Sequence, residues 1–132
     1  MRKMVVVCLA LTLVCAFAAA AGAQKAPTYT VIPMSGYNPK VTVTGEVIDT
    51  YCYTNHGGRG MGHKACAIDC AKHGIPVGLL EKGTDKIYIL LPNQKGTALP
   101  AGVIDKCGED ISVTGLKYVT GGDTFLTVES FK

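Results

Sequence analysis

Val41-Thr42-Val43-Thr44-Gly45-Glu46-Val47 alternates apolar and polar side chains around a single glycine. A period of two predicts a strand with one buried face, and a glycine inside it predicts a bulge or a sharp coil. The pattern returns as Ile111-Ser112-Val113-Thr114-Gly115. Two copies do not make a repeat array. They read as two strands with one shared need: alternate burial, then a coil at glycine. Working outward, 76–80 and 86–91 predict two further strands around the turn Glu81-Lys82-Gly83-Thr84-Asp85. Residues 92–109 are rich in turn formers, with Pro92, Gly96, Pro100, Gly102 and Gly108. Strands at 110–119 and 124–131 are joined at Gly121-Gly122, a hairpin signal between β-branched runs.

Between the first two strands the period changes. His63, Cys66, Cys70 and His73 stand at steps of three, four and three, the spacing of one helix face. Ala65, Ala67 and Ala71 favour helix, and Gly74 with Pro76 supplies the stop. The expectation is a mainly β chain: a small five-stranded OB-like barrel with one short helix between the first two strands. The usual OB helix follows the third strand, so this position is a departure. The runner-up architecture is an open sheet covered by one helix.

The full chain has 132 residues, mean hydropathy +0.26 and a formal charge of +3. Those totals mix a leader with a domain. Met1-Arg2-Lys3 is positive, 5–21 is almost wholly apolar, and Ala21-Gly22-Ala23 has the small-x-small form of a signal-peptidase site. Residues 1–23 are therefore expected to be a signal peptide cut before Gln24. Lipidation at Cys15 fits poorly behind Leu13-Val14, and the apolar run lacks a charged stop. The reading is bacterial export, to the periplasm or beyond, with no membrane attachment after cleavage. Residues 24–40, with Pro27, Pro33, Gly36 and Pro39, form an extended arm, and 41–132 a single barrel-like domain. Without Arg2 and Lys3 the charge falls to +1, which removes the electrostatic case for a nucleic-acid partner.

Export takes Cys8 and Cys15 away and leaves Cys52, Cys66, Cys70 and Cys107. Four cysteines in an oxidising compartment can make two disulfides. Cys66 and Cys70 are poor partners for each other. Four residues apart on a helix, their Cβ atoms stand about 5–6 Å apart, against roughly 3.5–4.5 Å in a disulfide. A metal ion relaxes that demand, since thiolates at about 2.3 Å from one ion stand nearly 4 Å apart. The candidate ligands are Cys52, His63, Cys66 and Cys70. Asp49 is expected to orient a liganding imidazole, and His56, Met61 and His73 are possible extra ligands. Sulfur with nitrogen suits zinc first; copper is second, with Met61 as a thioether. His56-Gly57-Gly58-Arg59-Gly60-Met61-Gly62 reads as an unrestrained loop that folds Cys52 or His56 over the helix start.

Other chemistries are poorly matched. A c-type haem needs His directly after the second Cys, and Ala71 follows Cys70. The glycine loop continues into His63-Lys64-Ala65, without the Lys-Ser/Thr of a phosphate loop. Asp105, Glu109 and Asp110 lack the ordered oxygen spacing of a calcium site.

Gly45-Glu46-Val47-Ile48-Asp49-x2-Cys52-Tyr53, then His63-x2-Cys66-Ala67-x2-Cys70-x2-His73-Gly74-x-Pro76-Val77-Gly78-Leu79-Leu80, then Tyr88 and a final Val-Thr-Gly strand, resembles a group of uncharacterised small exported bacterial proteins with an OB-like barrel. The resemblance covers about 41–130. It implies that Asp49, Cys52, His63, Cys66 and Cys70 act together, and it implies no catalytic activity. Cys107 stands outside its pattern, which leaves an odd set of three cysteines and favours a metal or redox role over paired bridges. The expected function is a small exported metal-binding protein. The alternatives are a disulfide-stapled module that binds a protein or saccharide, and a thiol-redox protein with Cys66 as nucleophile.

Overall fold

The two echoed segments lie side by side. In the structure, a computed structural model describing residues 38–100 and 102–132, β1 (Lys40–Asp49) pairs antiparallel with β4 (Asp110–Thr120). Val41 faces Gly115 and Gly45 faces Ile111, so each alternating run reads the other backwards. On the outer face Thr42 and Thr114 share a hydroxyl hydrogen bond of 2.8 Å, and Thr44 and Ser112 one of 2.7 Å. Val43 and Val113 face inward and are buried. The leader, its cleavage position and most of the arm lie outside the described residues.

Both glycines are corners. At Gly45, β1 begins to pair with β2 (Val77–Glu81), with Gly45 opposite Glu81. A Cβ on Gly45 would overlap the Leu80 carbonyl oxygen, and one on Gly115 would overlap the Thr127 carbonyl oxygen. Beyond Gly115, β4 turns to β5 (Asp123–Val128), and the buried Thr127 hydroxyl accepts the Leu116 N–H at 2.8 Å. β3 (Ile87–Pro92) pairs antiparallel with β2 and parallel with β5. The circuit β1-β2-β3-β5-β4 closes through β1–β4 into a five-stranded OB-like barrel. The expected strand over 124–131 breaks at Glu129, whose N–H donates to the Thr114 carbonyl, and Ser130–Phe131 continues as a short β6 on β4. Closure removes the open edges that a sheet this small would otherwise expose. Val47, Leu79, Val103, Val113 and Leu126 fill the interior, each fully buried.

One helix is expected between β1 and β2, and two are present. α1 (Thr50–His56) follows β1 directly, and α2 (Lys64–Lys72) follows a 3-10 turn at Met61–His63. α2 lays Ala67, Ile68 and Ala71 onto the core. The glycine loop between the helices is tied down, contrary to the unrestrained loop expected. The Gly60 N–H donates to the Glu46 carboxylate, and the His63 N–H donates to the Gly60 carbonyl at 3.0 Å. Gly108 packs so closely that a Cβ there would stand 2.6 Å from the Gly60 carbonyl oxygen. Lys64, at the start of α2, pairs with Glu109, which also receives Lys106 at 2.9 Å.

Two consequences are measurable. Gly45→Ala or Gly115→Ala forces a methyl into backbone, which cannot swing aside. Each is expected to cost about 1–3 kcal/mol or more in urea unfolding. Gly83→Ala, in a turn with open space around it, carries only the cost of its left-handed backbone, about 1–2 kcal/mol. Equal losses at all three positions would remove the corners from the argument. The Lys64 and Lys106 ammonium groups hold the Glu109 carboxyl below its usual range. A lowered folded pKa contributes stability that is present above the ordinary glutamate value and lost as pH falls through the lowered one. Glu109→Gln is therefore expected to differ in stability from the parent at neutral pH and to converge on it in acid, with the gap narrowing in high salt because the carboxylate is partly exposed.

Candidate metal centre

Asp49 ends β1 and begins α1. Its backbone is extended (φ −82°, ψ 134°), and its side chain accepts the Cys52 N–H at 2.8 Å, so it is the N-cap of α1. Gly57, in the left-handed region at φ +72°, closes the other end of the helix by donating to the Cys52 and Tyr53 carbonyls. Seven residues pinned at both ends hold Cys52 with its side chain facing in. Only Cys52 of α1 is buried.

The α2 face follows from its period. Ala67 and Ala71 mark the core stripe, and Cys70 lies one step round the helix from it, half-buried. Cys66 lies a further step out and is exposed. The Cys52 and Cys70 sulfurs are 4.0 Å apart. Cys52, His63 and Cys66 each offer a ligand atom, and these atoms all lie within 4.8 Å of one another. Asp49, Cys52 and Cys70 form a second such group. Cys52 belongs to both, so the two groups share a sulfur.

The buried Asp49 carboxylate also faces the imidazole, with Oδ2 3.3 Å from His63 Nε2. An imidazole that donates one N–H to a carboxylate keeps its other nitrogen as a lone pair with fixed orientation. The expectation for Asp49 therefore has its geometric counterpart, and the same carboxylate also caps α1. Gly58 lets the loop pass against both neighbouring rings: a Cβ there would stand 2.8 Å from His63 Nε2 and 3.0 Å from His56 Cε1.

The remaining candidates lie elsewhere. His56 is exposed and meets His63 edge to face, with ring centroids 5.7 Å apart, outside both ligand groups. Met61 is 65% exposed in the 3-10 turn. His73 ends α2 with Nδ1 2.8 Å from the Asp69 carbonyl oxygen, out in solvent. The expected alternative of two staples has no counterpart among the described residues, where Cys52, Cys66, Cys70 and Cys107 are all free. Cys107 is fully buried in the barrel core, bridged to Val47.

Burial pushes the Cys52 thiol up to about 12, with its hydrogen bond to Asp49 adding to the effect. Burial also raises Cys70, and it raises Cys107 to about 11. These sulfurs are neutral thiols until a cation is present to favour the thiolate. Sequence reasoning missed α1 and its cap. The signals were Asp49 and Gly57, eight residues apart, but the segment between them carries no apolar period.

In comparisons with family models, with curated proteins and with solved structures, none matches this chain. Among the described residues, no helix is long and apolar enough to cross a membrane.

The thiols should separate by reactivity. In the reduced native protein at pH 8, iodoacetamide is expected to modify Cys66 first, with Cys52 and Cys107 at least about ten-fold slower, because Cys66 is exposed while burial shields the other two and keeps them protonated. Comparable rates at Cys66 and Cys107 would contradict their placement.

Proposed function

We propose that this chain is a small exported metal-binding protein, its ion held by Cys52, His63, Cys66 and Cys70, with zinc the first choice and copper the second. The observation that carries the reading is the shared sulfur of Cys52, which stands within 4.8 Å of donor atoms from both flanking groups. The 4.0 Å between the Cys52 and Cys70 sulfurs matches the separation of about 3.8 Å between thiolates on one tetrahedral zinc. The fixed imidazole of His63, backed by Asp49, completes a sulfur-rich donor set with one nitrogen. Export rests on the leader at 1–23, and it bears on supply, because a periplasmic or secreted protein meets metals outside the cytosol. The role is structural or metal-handling: the ligands come from α1, the 3-10 turn and α2, so binding would tie these three segments together.

The test uses the mature chain, reduced and metal-free, titrated anaerobically with Zn(II) and separately with Cu(I). Native mass spectrometry is expected to show one ion per chain. A thousand-fold excess over the dissociation constant should add about 4 kcal/mol to stability. Cys52→Ser and Cys66→Ser should each lose the ion on desalting, while His56→Ala and His73→Ala keep it. A reduced, folded protein that retains neither metal overturns the reading.

A further inference from the structure

The same 4.0 Å that suits a metal edge also leaves the Cys52 and Cys70 sulfurs poised for a bond of about 2.05 Å. We propose that Cys52 and Cys70 are a redox-active dithiol, oxidised by low-molecular-weight disulfides to a Cys52–Cys70 bond that clips α1 to α2 and dismantles the ligand set. The bond itself needs only the two thiols. Its consequence for the metal rests on the function proposed above.

Three pairings are available among the three clustered thiols. Cys66 with Cys70 is disfavoured by their common helix, where Cβ atoms four residues apart are too distant. Cys66 is the outermost of the three and its sulfur also lies within 4.8 Å of the Cys52 sulfur, while the Cys52 and Cys70 sulfurs are 4.0 Å apart, the first buried and the second half-buried. Cys52 and Cys70 come from separate helices joined by a glycine-rich loop, so a closure of about 2 Å can be taken up between the helices rather than inside one. Cys107 is walled into the barrel interior and takes no part.

Exposed Cys66 also exchanges reversibly with a small disulfide; between Cys52 and Cys70, accessibility orders the steps. Cys70 is half-buried and reaches solvent, whereas Cys52 is 6% exposed. Cys70 gives up its thiol proton to solvent, and the small thiolate fraction so formed attacks one sulfur of the small disulfide RSSR, forming Cys70–S–SR and releasing one RS⁻. The Cys52 sulfur then attacks the Cys70 sulfur, and the second RS⁻ leaves. The two thiol protons end on two RSH. Two electrons have passed from the cysteines to RSSR, and excess RSH reverses both steps. With Cys52 and Cys70 joined, neither offers a thiolate, and His63 and Cys66 alone cannot enclose an ion. An oxidising compartment of the kind expected for this chain holds such disulfides.

The mature chain, reduced and metal-free, is incubated anaerobically with excess oxidised glutathione near neutral pH, quenched in acid, alkylated and mapped by mass spectrometry. The expected product links the Cys52 and Cys70 peptides with the loss of two hydrogens at that link, and carries an alkyl group on Cys107 and an alkyl group or a reversible glutathione on Cys66. Cys66 and Cys70 share the tryptic segment between Lys64 and Lys72, so fragment ions across Ala67-Ile68-Asp69 tell them apart. The oxidised protein should hold at least ten-fold less zinc than the reduced form. Cys66→Ser should still form the bond, and Cys52→Ser should trap the mixed disulfide on Cys70. A Cys52–Cys66 link, or glutathione stopped on Cys66 with Cys52 and Cys70 still reduced, overturns the assignment. If the bond fails to form in a reduced protein that binds zinc, the redox proposal falls and the metal function stands. If the bond forms in a chain that never binds metal, the dithiol stands and the metal function falls.

Discussion

A carboxylate taken fully out of water must be met by donors, and Asp49 is fully buried. One oxygen takes the Cys52 N–H at 2.8 Å and the other faces His63 Nε2 at 3.3 Å. Those two contacts start α1, aim Cys52 inward and set the imidazole beside it. Losing either contact leaves a buried carboxyl oxygen without that partner, which is costlier than losing a solvent-exposed hydrogen bond. The end of β1, the first turn of α1 and the 3-10 turn before α2 are therefore held in one geometry by a single side chain. The position of the Cys52 sulfur beside His63 is a consequence of that arrangement.

The barrel was legible because its corners are written in residue type. Gly45 and Gly115 end two alternating runs, and only glycine lets the Leu80 and Thr127 carbonyls come as close as they do. That the two runs pair with each other was not legible. Each predicts a strand with one buried face, and register with a distant strand depends on closure of the whole sheet. The break at Glu129 was hidden for a related reason. Residues 124–131 alternate well enough for one strand, and the break comes from β4 being shared between β5 and β6.

The candidate site was legible to the extent that it follows helix period. Cys66 and Cys70 take adjoining positions on α2, as their spacing requires, and Cys52 meets Cys70 across the two helices. His73 has the spacing but not the place, because it falls at the end of α2, where its ring turns back to the Asp69 carbonyl. His56 is the exposed last residue of α1, four beyond Cys52, and it meets His63 only ring to ring, outside both donor groups. The loop was misread as free because glycine count measures backbone latitude, not partners. Glu46 and Gly108, both distant in sequence, supply the restraints at Gly60. Cys107 gave no local sign of its burial, since its neighbours are turn formers and its backbone lies beside Val47 of β1, far away in sequence.

The donor chemistry argues for zinc over copper(I) within the proposed function. Copper(I) is satisfied by two or three soft sulfurs and gains little from a carboxylate-oriented imidazole. Zinc, borderline in softness, takes nitrogen readily and is the ion for which a carboxylate–histidine contact fixes the ligand's tautomer and raises its basicity. The only thioether close in sequence, Met61, is solvent-exposed rather than turned inward. The Asp49–His63 contact would add nothing in an all-sulfur site, where Asp49 would serve only as the cap of α1. Burial favours neutral thiols at Cys52 and Cys70, so an ion must displace protons as it binds. A doubly charged cation compensates for that displacement far better than a singly charged one, because its attraction for each thiolate scales with its charge.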